Sequence, residues 1–127
     1  MDIGHIALYV ADLEQSRRFY ESYFGGKAGK PYHNPNTGLR SYFLSFSQQG
    51  ARLELMQRSG LQQRPEAMQY GYAHLAFQLE SREAVAQLTE RLARDGYTVC
   101  SGPRVTGDGY YESCVLDPEG NQVEIVA

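Results

Sequence analysis

Two histidines and two glutamates recur in this sequence at nearly equal spacing. His74 follows His5 by 69 positions, and Glu124 follows Glu54 by 70. Their surroundings match as well, since each histidine begins an alternating apolar run and each glutamate lies between aliphatic residues. Two imidazoles and two carboxylates form a ligand set that suits a divalent transition metal acting as a Lewis acid. The pattern predicts a metal site built by a duplicated strand unit.

Each of the four residues has a simpler interpretation when it is taken alone. A single histidine in a strand is more often hydrogen-bonded than bound to a metal, and a single glutamate is more often solvated. The joint recurrence favours the metal site, because two matched His–Glu pairs are hard to obtain from solvated faces. His5, Glu54, His74 and Glu124 are therefore the predicted metal ligands.

The first half of the chain has alternating and helical patterns in a definite order. A helix is capped by Asp12, with Gln15 completing a capping box, and it ends at Gly25-Gly26. The remaining segments are predicted as a strand at 3–10, a short strand within 27–32, a loop at 33–38 and strands at 40–47 and 51–57.

The second half repeats this order. Ser81 is the predicted N-cap of a second helix, which ends at Asp95-Gly96. The other segments are predicted as strands at 73–79, 97–101, 111–116 and 122–126, with a Gly-rich loop at 103–109. In each half the helix should cover one face of a curved sheet and leave the His–Glu pair on the other, because a one-residue slip would bury charges under the helix.

At 127 residues the chain has the size of one domain. We predict an α+β fold in which two tandem βαβββ modules form a curved mixed sheet that cups the metal site, with the helices on the outer face. Module one spans about 1–57, a linker about 58–71 and module two about 72–127.

Composition narrows the possible partners. A net charge of −3 argues against nucleic acid, and the apolar runs are too short to cross a bilayer. Because no charged segment leads into an apolar one near the start, we expect no signal peptide and a cytoplasmic protein. Cys100 and Cys114 are too few for a disulfide scaffold and are predicted to be reduced thiols.

Four further side chains are predicted to contact a substrate. Arg58 and Arg104 flank the proposed mouth of the site, where an arginine can hold a carboxylate through two hydrogen bonds. Tyr9 and Tyr111 would add flat apolar surface with a hydroxyl at its tip. Solvated arginines and ordinary strand packing are the alternative interpretations.

At these residues the chain resembles the vicinal-oxygen-chelate superfamily (glyoxalase, bleomycin resistance and extradiol dioxygenase proteins), and most closely its glyoxalase I (lactoylglutathione lyase) branch. The resemblance covers essentially the whole chain and implies paired βαβββ modules that form a metal-binding cup. It is carried by these motifs: His5-Ile6-Ala7-Leu8, Asp12-Leu13, Arg18-Phe19-Tyr20, Leu53-Glu54-Leu55, His74-Leu75-Ala76-Phe77, Asp117-Pro118-Glu119-Gly120-Asn121 and Val123-Glu124-Ile125.

The resemblance also implies an activity and an assembly. One divalent ion per site (nickel, zinc, cobalt, manganese or iron) would promote proton transfer on an α-hydroxycarbonyl substrate, such as a thiol hemithioacetal, through an enediolate. Glu124 would act as the base, and Glu54 would carry the proton on the other face. A homodimer is implied in which His5 and Glu54 of one subunit meet His74 and Glu124 of its partner.

Other functions within the superfamily stay open. They include an epimerase, a thiol transferase acting on an antibiotic, and a ring-cleaving dioxygenase, whose three-ligand iron site has more open positions. A metal-free module that binds a drug or another small molecule is a further alternative. Four ligand-type residues argue against that module, because uncoordinated carboxylates crowded in a cleft repel each other.

Overall fold

The computed structural model describes residues 1–62, 70–107 and 109–127, and its chain divides into two compact units, Met1–Ala67 and Met68–Ala127. Each unit has one helix and one mixed sheet among its described residues. The α+β fold class is therefore confirmed, with two sheets rather than one. The predicted linker at 58–71 includes 63–69, which lie outside the described residues.

The first unit is built around a parallel pair formed by its first and last strands. The sheet order is β1-β5-β4-β2, and β3 pairs with β4. β1 and β5 run parallel, whereas β4 is antiparallel to β5. The elements are β1 (His5–Tyr9), α1 (Leu13–Phe24), β2 (Lys27–Ala28), β3 (Tyr32–His33), β4 (Arg40–Ser45) and β5 (Arg52–Gln57).

The second unit repeats this arrangement with one strand fewer. Its sheet order is β6-β9-β8-β7, and the first and last strands, β6 and β9, again run parallel. The elements are β6 (His74–Gln78), α2 (Arg82–Arg94), β7 (Val99–Val105), β8 (Tyr111–Leu116) and β9 (Gln122–Val126).

Both helices begin where the capping residues predict. Asp12 Oδ1 accepts a hydrogen bond from the Gln15 amide at 2.9 Å, and Ser81 Oγ accepts one from the Ala84 amide at 3.1 Å. These side chains satisfy amides that have no partner within the helix. α1 ends at Gly25, whose φ of 68° lies in the left-handed region that glycine adopts without strain.

The helix of each unit covers one face of its sheet and forms the core there. Burial is most complete on the helices and on the strand residues that face them. The buried apolar residues include Leu13, Phe19, Tyr20, Leu44, Leu53 and Leu55 in the first unit, and Val85, Leu92, Val115, Val123 and Ile125 in the second. The aliphatic neighbours of both glutamates thus point to the helices, which leaves the glutamates on the opposite face.

Two predicted segments differ in the structure. The single strand within 27–32 is instead two short strands, with Gly29, Lys30 and Pro31 between them, and His33 belongs to β3 rather than to a loop. Proline has no amide to donate to the sheet, so it interrupts the strand.

The loop predicted at 103–109 was placed too early. β7 continues to Val105, and Arg104 pairs with Glu112. The β7–β8 ladder has two register shifts, and the second, between Ser101 and Arg104, lies at the start of the predicted loop. Asp108, also within that predicted loop, lies outside the described residues.

Within the described residues, neither helix is long and apolar enough to cross a membrane.

Candidate metal centre

The first His–Glu pair lies on the face of the first sheet opposite α1. His5 is opposite Arg52 and Ala7 is opposite Glu54 in the parallel β1–β5 ladder, so His5 and Glu54 project from the same face one pleat apart. His5 Nε2 and Glu54 Oε2 are 3.8 Å apart. We call this pair half-site one.

The second pair repeats this geometry in the second sheet. His74 is opposite Gln122 and Ala76 is opposite Glu124 in the parallel β6–β9 ladder. His74 Nε2 and Glu124 Oε2 are 3.2 Å apart. We call this pair half-site two. Its register relation is the same as that of half-site one, which is the structural counterpart of the near-equal spacing in the sequence.

The alternation of side chains along the strands determines the face of the sheet on which each half-site lies. Leu53 and Leu55 on either side of Glu54, and Val123 and Ile125 on either side of Glu124, are all buried under the helices. A slip of one residue would bring each carboxylate into the core, where burial of an unpaired charge is costly. The side chains of Glu54 and Glu124 instead remain 16% and 22% exposed, and are accessible to an ion.

The distances within each pair suit two ligands of one ion. Imidazole nitrogen and carboxylate oxygen bind a divalent transition metal at about 2.0–2.2 Å, so adjacent ligand atoms lie about 2.8–3.6 Å apart in octahedral or tetrahedral geometry. His74 and Glu124 satisfy this spacing, and His5 and Glu54 need a small side-chain rotation. In the part of the chain that the structure describes, no three His, Cys, Asp or Glu side chains form a group that could hold a metal. The four predicted ligands are thus brought together as two pairs.

Half-site one has an aromatic and a cationic neighbour. Phe43 of β4 is opposite Glu54, and its ring meets the His5 ring edge to face at 5.3 Å. The guanidinium of Arg52 lies 4.4 Å from the centroid of the same ring. The face opposite α1, which carries His5, Phe43, Arg52 and Glu54, is called the ligand face of the first unit.

Half-site two has a thiol at the position that Phe43 occupies in half-site one. Cys114 of β8 is opposite Glu124. Burial, with the nearby Cys100 and Glu124, raises the pKa of the Cys114 thiol to about 11. Cys114 is buried and Cys100 is exposed, and both are free thiols. His74, Glu112, Cys114 and Glu124 define the ligand face of the second unit.

The predicted substrate contacts fall in different places. Tyr9 is exposed and shares the face of His5 by strand alternation. Arg58 is exposed directly after β5. Arg104 is paired with Glu112 on the ligand face of the second unit, with Nη2 and Oε1 3.5 Å apart. Tyr111 is not brought to that face, because its ring lies under the guanidinium of Arg82 from α2, 5.5 Å away.

Sequence reasoning did not place Phe43, Arg52 or Cys114 on the ligand faces. Arg52 could have been found from alternation alone, since it stands two residues before Glu54 on the same strand and therefore on the same face. Phe43 and Cys114 required the register between neighbouring strands, which composition does not reveal.

Two units that share this topology and present the same His–Glu pair define a recognisable class of proteins. The model of the family described as the Glyoxalase/Bleomycin resistance protein/Dioxygenase superfamily matches residues 2–125. The chain belongs to this superfamily. The resemblance inferred from the sequence motifs is thereby confirmed.

Individual relatives agree with this assignment. The chain is 36% identical to the uncharacterised protein YqjT of Bacillus subtilis, over 97% of this chain and 96% of that one. It is 27% identical to a lactoylglutathione lyase of Haemophilus influenzae, over 99% of this chain and 92% of that one. The structure of the trypanothione-dependent glyoxalase I of Leishmania major matches over 99% of this chain and 86% of that one, with a TM-score of 0.80 and 22% identity. This match shows that the two chains share a fold.

Proposed function

We propose that this protein is a divalent-metal-dependent lyase or isomerase of the glyoxalase I type. The observation that carries the proposal is the repeated half-site, in which a His–Glu pair occupies the same strand positions and the same face in both units. Membership of the superfamily supports it, as does the likeness to a protein named lactoylglutathione lyase.

The proposed metal ligands are His5, Glu54, His74 and Glu124. Two nitrogen and two oxygen ligands accept nickel, zinc, cobalt, manganese or iron. A pair alone offers only two protein ligands, so both half-sites would serve one ion. We propose a twofold homodimer in which half-site one of one protomer joins half-site two of its partner, an arrangement that gives two equivalent sites. When bound, the ion polarises the substrate carbonyl, acidifies the neighbouring C–H and stabilises the negative charge that develops.

Glu124 and Glu54 would move the proton. The substrate class is a small α-hydroxycarbonyl compound such as the hemithioacetal of an aldehyde and a thiol. Glu124 would take the proton from the carbon that carries the hydroxyl and deliver it to the former carbonyl carbon, while the hydroxyl proton passes to the former carbonyl oxygen. Glu54 would carry the proton for a substrate that presents its opposite face. The imidazoles of His5 and His74 remain as fixed ligands. The partial exposure of both carboxylates is compatible with contact to a substrate.

Metal analysis combined with turnover tests this function. Elemental analysis of the purified protein should find about one metal per chain, and EDTA should remove both metal and activity. Activity would be measured on the hemithioacetal of methylglyoxal and glutathione, before and after nickel or zinc is restored. Recovery of turnover with the metal is the expected result.

The other outcomes separate the alternatives. Metal without turnover would contradict glyoxalase activity on this substrate and favour another metalloenzyme of the superfamily. Absence of bound metal under every loading condition would contradict the four-ligand site and favour a metal-free binding protein.

A further inference from the structure

The two cysteines of this chain lie on neighbouring strands of the second unit. Cys100 belongs to β7 and Cys114 to β8, and the two strands run antiparallel. The ladder pairs Val99 with Val115 and then Ser101 with Cys114, so Cys100 is an extra residue between the two pairs. In such a β-bulge, two residues of one strand face a single residue of the other. Cys100 and Ser101 therefore both face Cys114.

The two thiols lie on the same face of the second sheet. Val99 pairs with Val115, which is buried under the helix. Cys100 and Cys114 are the next residues along the two strands, so alternation directs both to the opposite face, the ligand face. Their proximity also affects the pKa of the Cys114 thiol, which is raised to about 11 by burial first and then by the Cys100 side chain.

The spacing of the two strands suits a disulfide. Facing residues of antiparallel strands have their Cα atoms about 4.5–5.5 Å apart. The Cα atoms of two cysteines joined by a disulfide lie about 4.4–6.8 Å apart. A bond between Cys100 and Cys114 is therefore compatible with the existing pairing of β7 and β8.

The two thiols differ in their access to solution. Cys100 is exposed, whereas Cys114 is buried. A small disulfide from solution can therefore reach Cys100 but not Cys114. Once Cys100 carries a mixed disulfide, however, its sulfur lies beside the Cys114 thiol, and two groups held in contact react far faster than two groups that must meet in solution. Cys100 is thus suited to react first and Cys114 to complete the exchange.

The first unit has no counterpart of this thiol pair. It contains no cysteine, and Phe43 occupies the position opposite Glu54 that Cys114 occupies opposite Glu124. The His–Glu pair recurs in both units, whereas the two thiols occur in one. The duplicated fold therefore does not itself require them.

We propose that Cys100 and Cys114 are a redox-active pair that forms a reversible disulfide by exchange with a low-molecular-weight disulfide. The Cys100 sulfur attacks one sulfur of the small disulfide, the S–S bond of that molecule breaks, and one small thiol leaves with the proton of Cys100. The Cys114 sulfur then attacks the Cys100 sulfur, the mixed disulfide breaks, and a second small thiol leaves with the proton of Cys114. The cysteine pair loses two electrons, and the small disulfide gains them.

This modification site is independent of the proposed function. It requires only the two thiols and the register of β7 and β8. It nevertheless lies beside half-site two, because Cys114 is the register partner of Glu124. The disulfide would therefore change the surroundings of a proposed metal ligand.

Mass spectrometry of the intact protein tests the proposal, with glutathione disulfide as the probe. The reduced protein would be incubated with the probe at about pH 8, where an exposed thiol is partly ionised. The wild type should lose two hydrogens and retain no glutathione. A digest made without reductant should contain the peptides of Cys100 and Cys114 joined to each other, and dithiothreitol should restore both thiols.

Substitution of each cysteine separates the two steps. Cys114→Ala should retain one glutathione on Cys100, because no second thiol is present to displace it. Cys100→Ser should take up no glutathione, because Cys114 is buried. Circular dichroism spectra of both variants should match that of the wild type.

Three results with the wild type would overturn the proposal, whatever the variants do. They are retention of glutathione on Cys100 to the extent seen with Cys114→Ala, absence of any modification, and a disulfide that joins two chains. Uptake of glutathione by Cys100→Ser at the wild-type rate would contradict Cys100 as the residue that reacts first.

Discussion

At the residue scale, Glu124 is the side chain on which the proposed chemistry depends most. Glu124→Gln keeps the size and one oxygen of the side chain but removes the basic carboxylate. We expect kcat for the hemithioacetal to fall by about 100- to 10,000-fold, the usual contribution of a general base. The circular dichroism spectrum should be unchanged. Rates would be measured after loading each protein with the same metal.

Glu90 provides the control for this substitution. It is exposed on α2, on the outer side of the same unit. Glu90→Gln should retain full activity. A Glu124→Gln variant that keeps most of the wild-type kcat would remove Glu124 from the role of base.

The two cysteines should differ sharply in reactivity. Cys100 is exposed, whereas Cys114 is buried and its pKa is raised to about 11, mainly by burial. Because the thiolate is the reactive form, Cys114 should remain an unreactive thiol at pH 8. Iodoacetamide at pH 8, followed by mass spectrometry, should label Cys100 in the native protein and both cysteines in guanidinium chloride. Equal labelling of the two in the native protein would contradict the buried position of Cys114.

The face of the sheet on which a side chain lies was predictable where alternation along its own strand determines it. The faces of His5, Glu54, His74 and Glu124 follow from apolar alternation on their own strands, and the structure agrees. Tyr111 stands next to Glu112 on β8 and therefore points to the opposite face, towards α2. Its contact with a substrate stays a prediction. Whether the four ligands share one ion remains a prediction.

At the element scale, strand β7 depends on a glycine at an irregular point of its ladder. Gly102 has a φ of 81°, and a Cβ there would clash with the carbonyl oxygen of Glu112. Both the backbone conformation and the contact with β8 oppose any side chain. Gly102→Ala should lower the free energy of unfolding by about 2 to 4 kcal/mol. Urea denaturation followed by circular dichroism would measure this change.

Gly107 is a suitable control because it lies on the same stretch of chain without these constraints. A Cβ at Gly107 meets no described atom within 4 Å. Gly107→Ala should change the free energy of unfolding by less than about 0.5 kcal/mol. Equal unfolding midpoints for the two variants would show that Gly102 tolerates a side chain.

Helices were predicted more reliably than strand ends. Capping residues are local signals, so Asp12 and Ser81 marked both helix starts correctly. The extent of β7 depends on its partner β8, and a sequence rich in Gly and Pro concealed it. The pairing of β3 with β4 likewise depends on contacts between separate segments.

At the scale of the whole molecule, the proposed dimer predicts complementation between two inactive variants. A heterodimer of Glu54→Gln and Glu124→Gln chains would contain one site with both glutamates intact and one site with neither. Tandem affinity purification of differently tagged chains would isolate this species. It should show about half the wild-type activity if sites form between protomers.

The homodimers of each variant are the controls and should be inactive. If each site forms within a single chain, both sites of the heterodimer lack one glutamate and the heterodimer stays inactive as well. Analytical ultracentrifugation would establish that the purified species is dimeric. A monomer would contradict the shared site.

The duplication made the α+β architecture predictable from the sequence. Its two halves reproduce the same order of strand, helix and strands, with β3 as an addition in the first unit. Periodicity predicts the helices and strands, and the matched spacing of the His–Glu pairs indicates which segments of the two halves correspond. Of the four predicted substrate contacts, Tyr9, Arg104 and Tyr111 lie on strands and Arg58 directly follows β5. Whether any of them contacts a substrate stays a prediction.

The parallel pairing of the first and last strands in each unit also has a consequence for synthesis of the chain. Each half-site takes its histidine from the first strand and its glutamate from the last. A nascent chain that has completed β4 therefore presents His5 without its carboxylate partner. Pairings between distant segments require costly loop closure and form slowly. We expect a half-site to form only after its whole unit has emerged and folded. Binding of a metal would therefore indicate that the unit is complete.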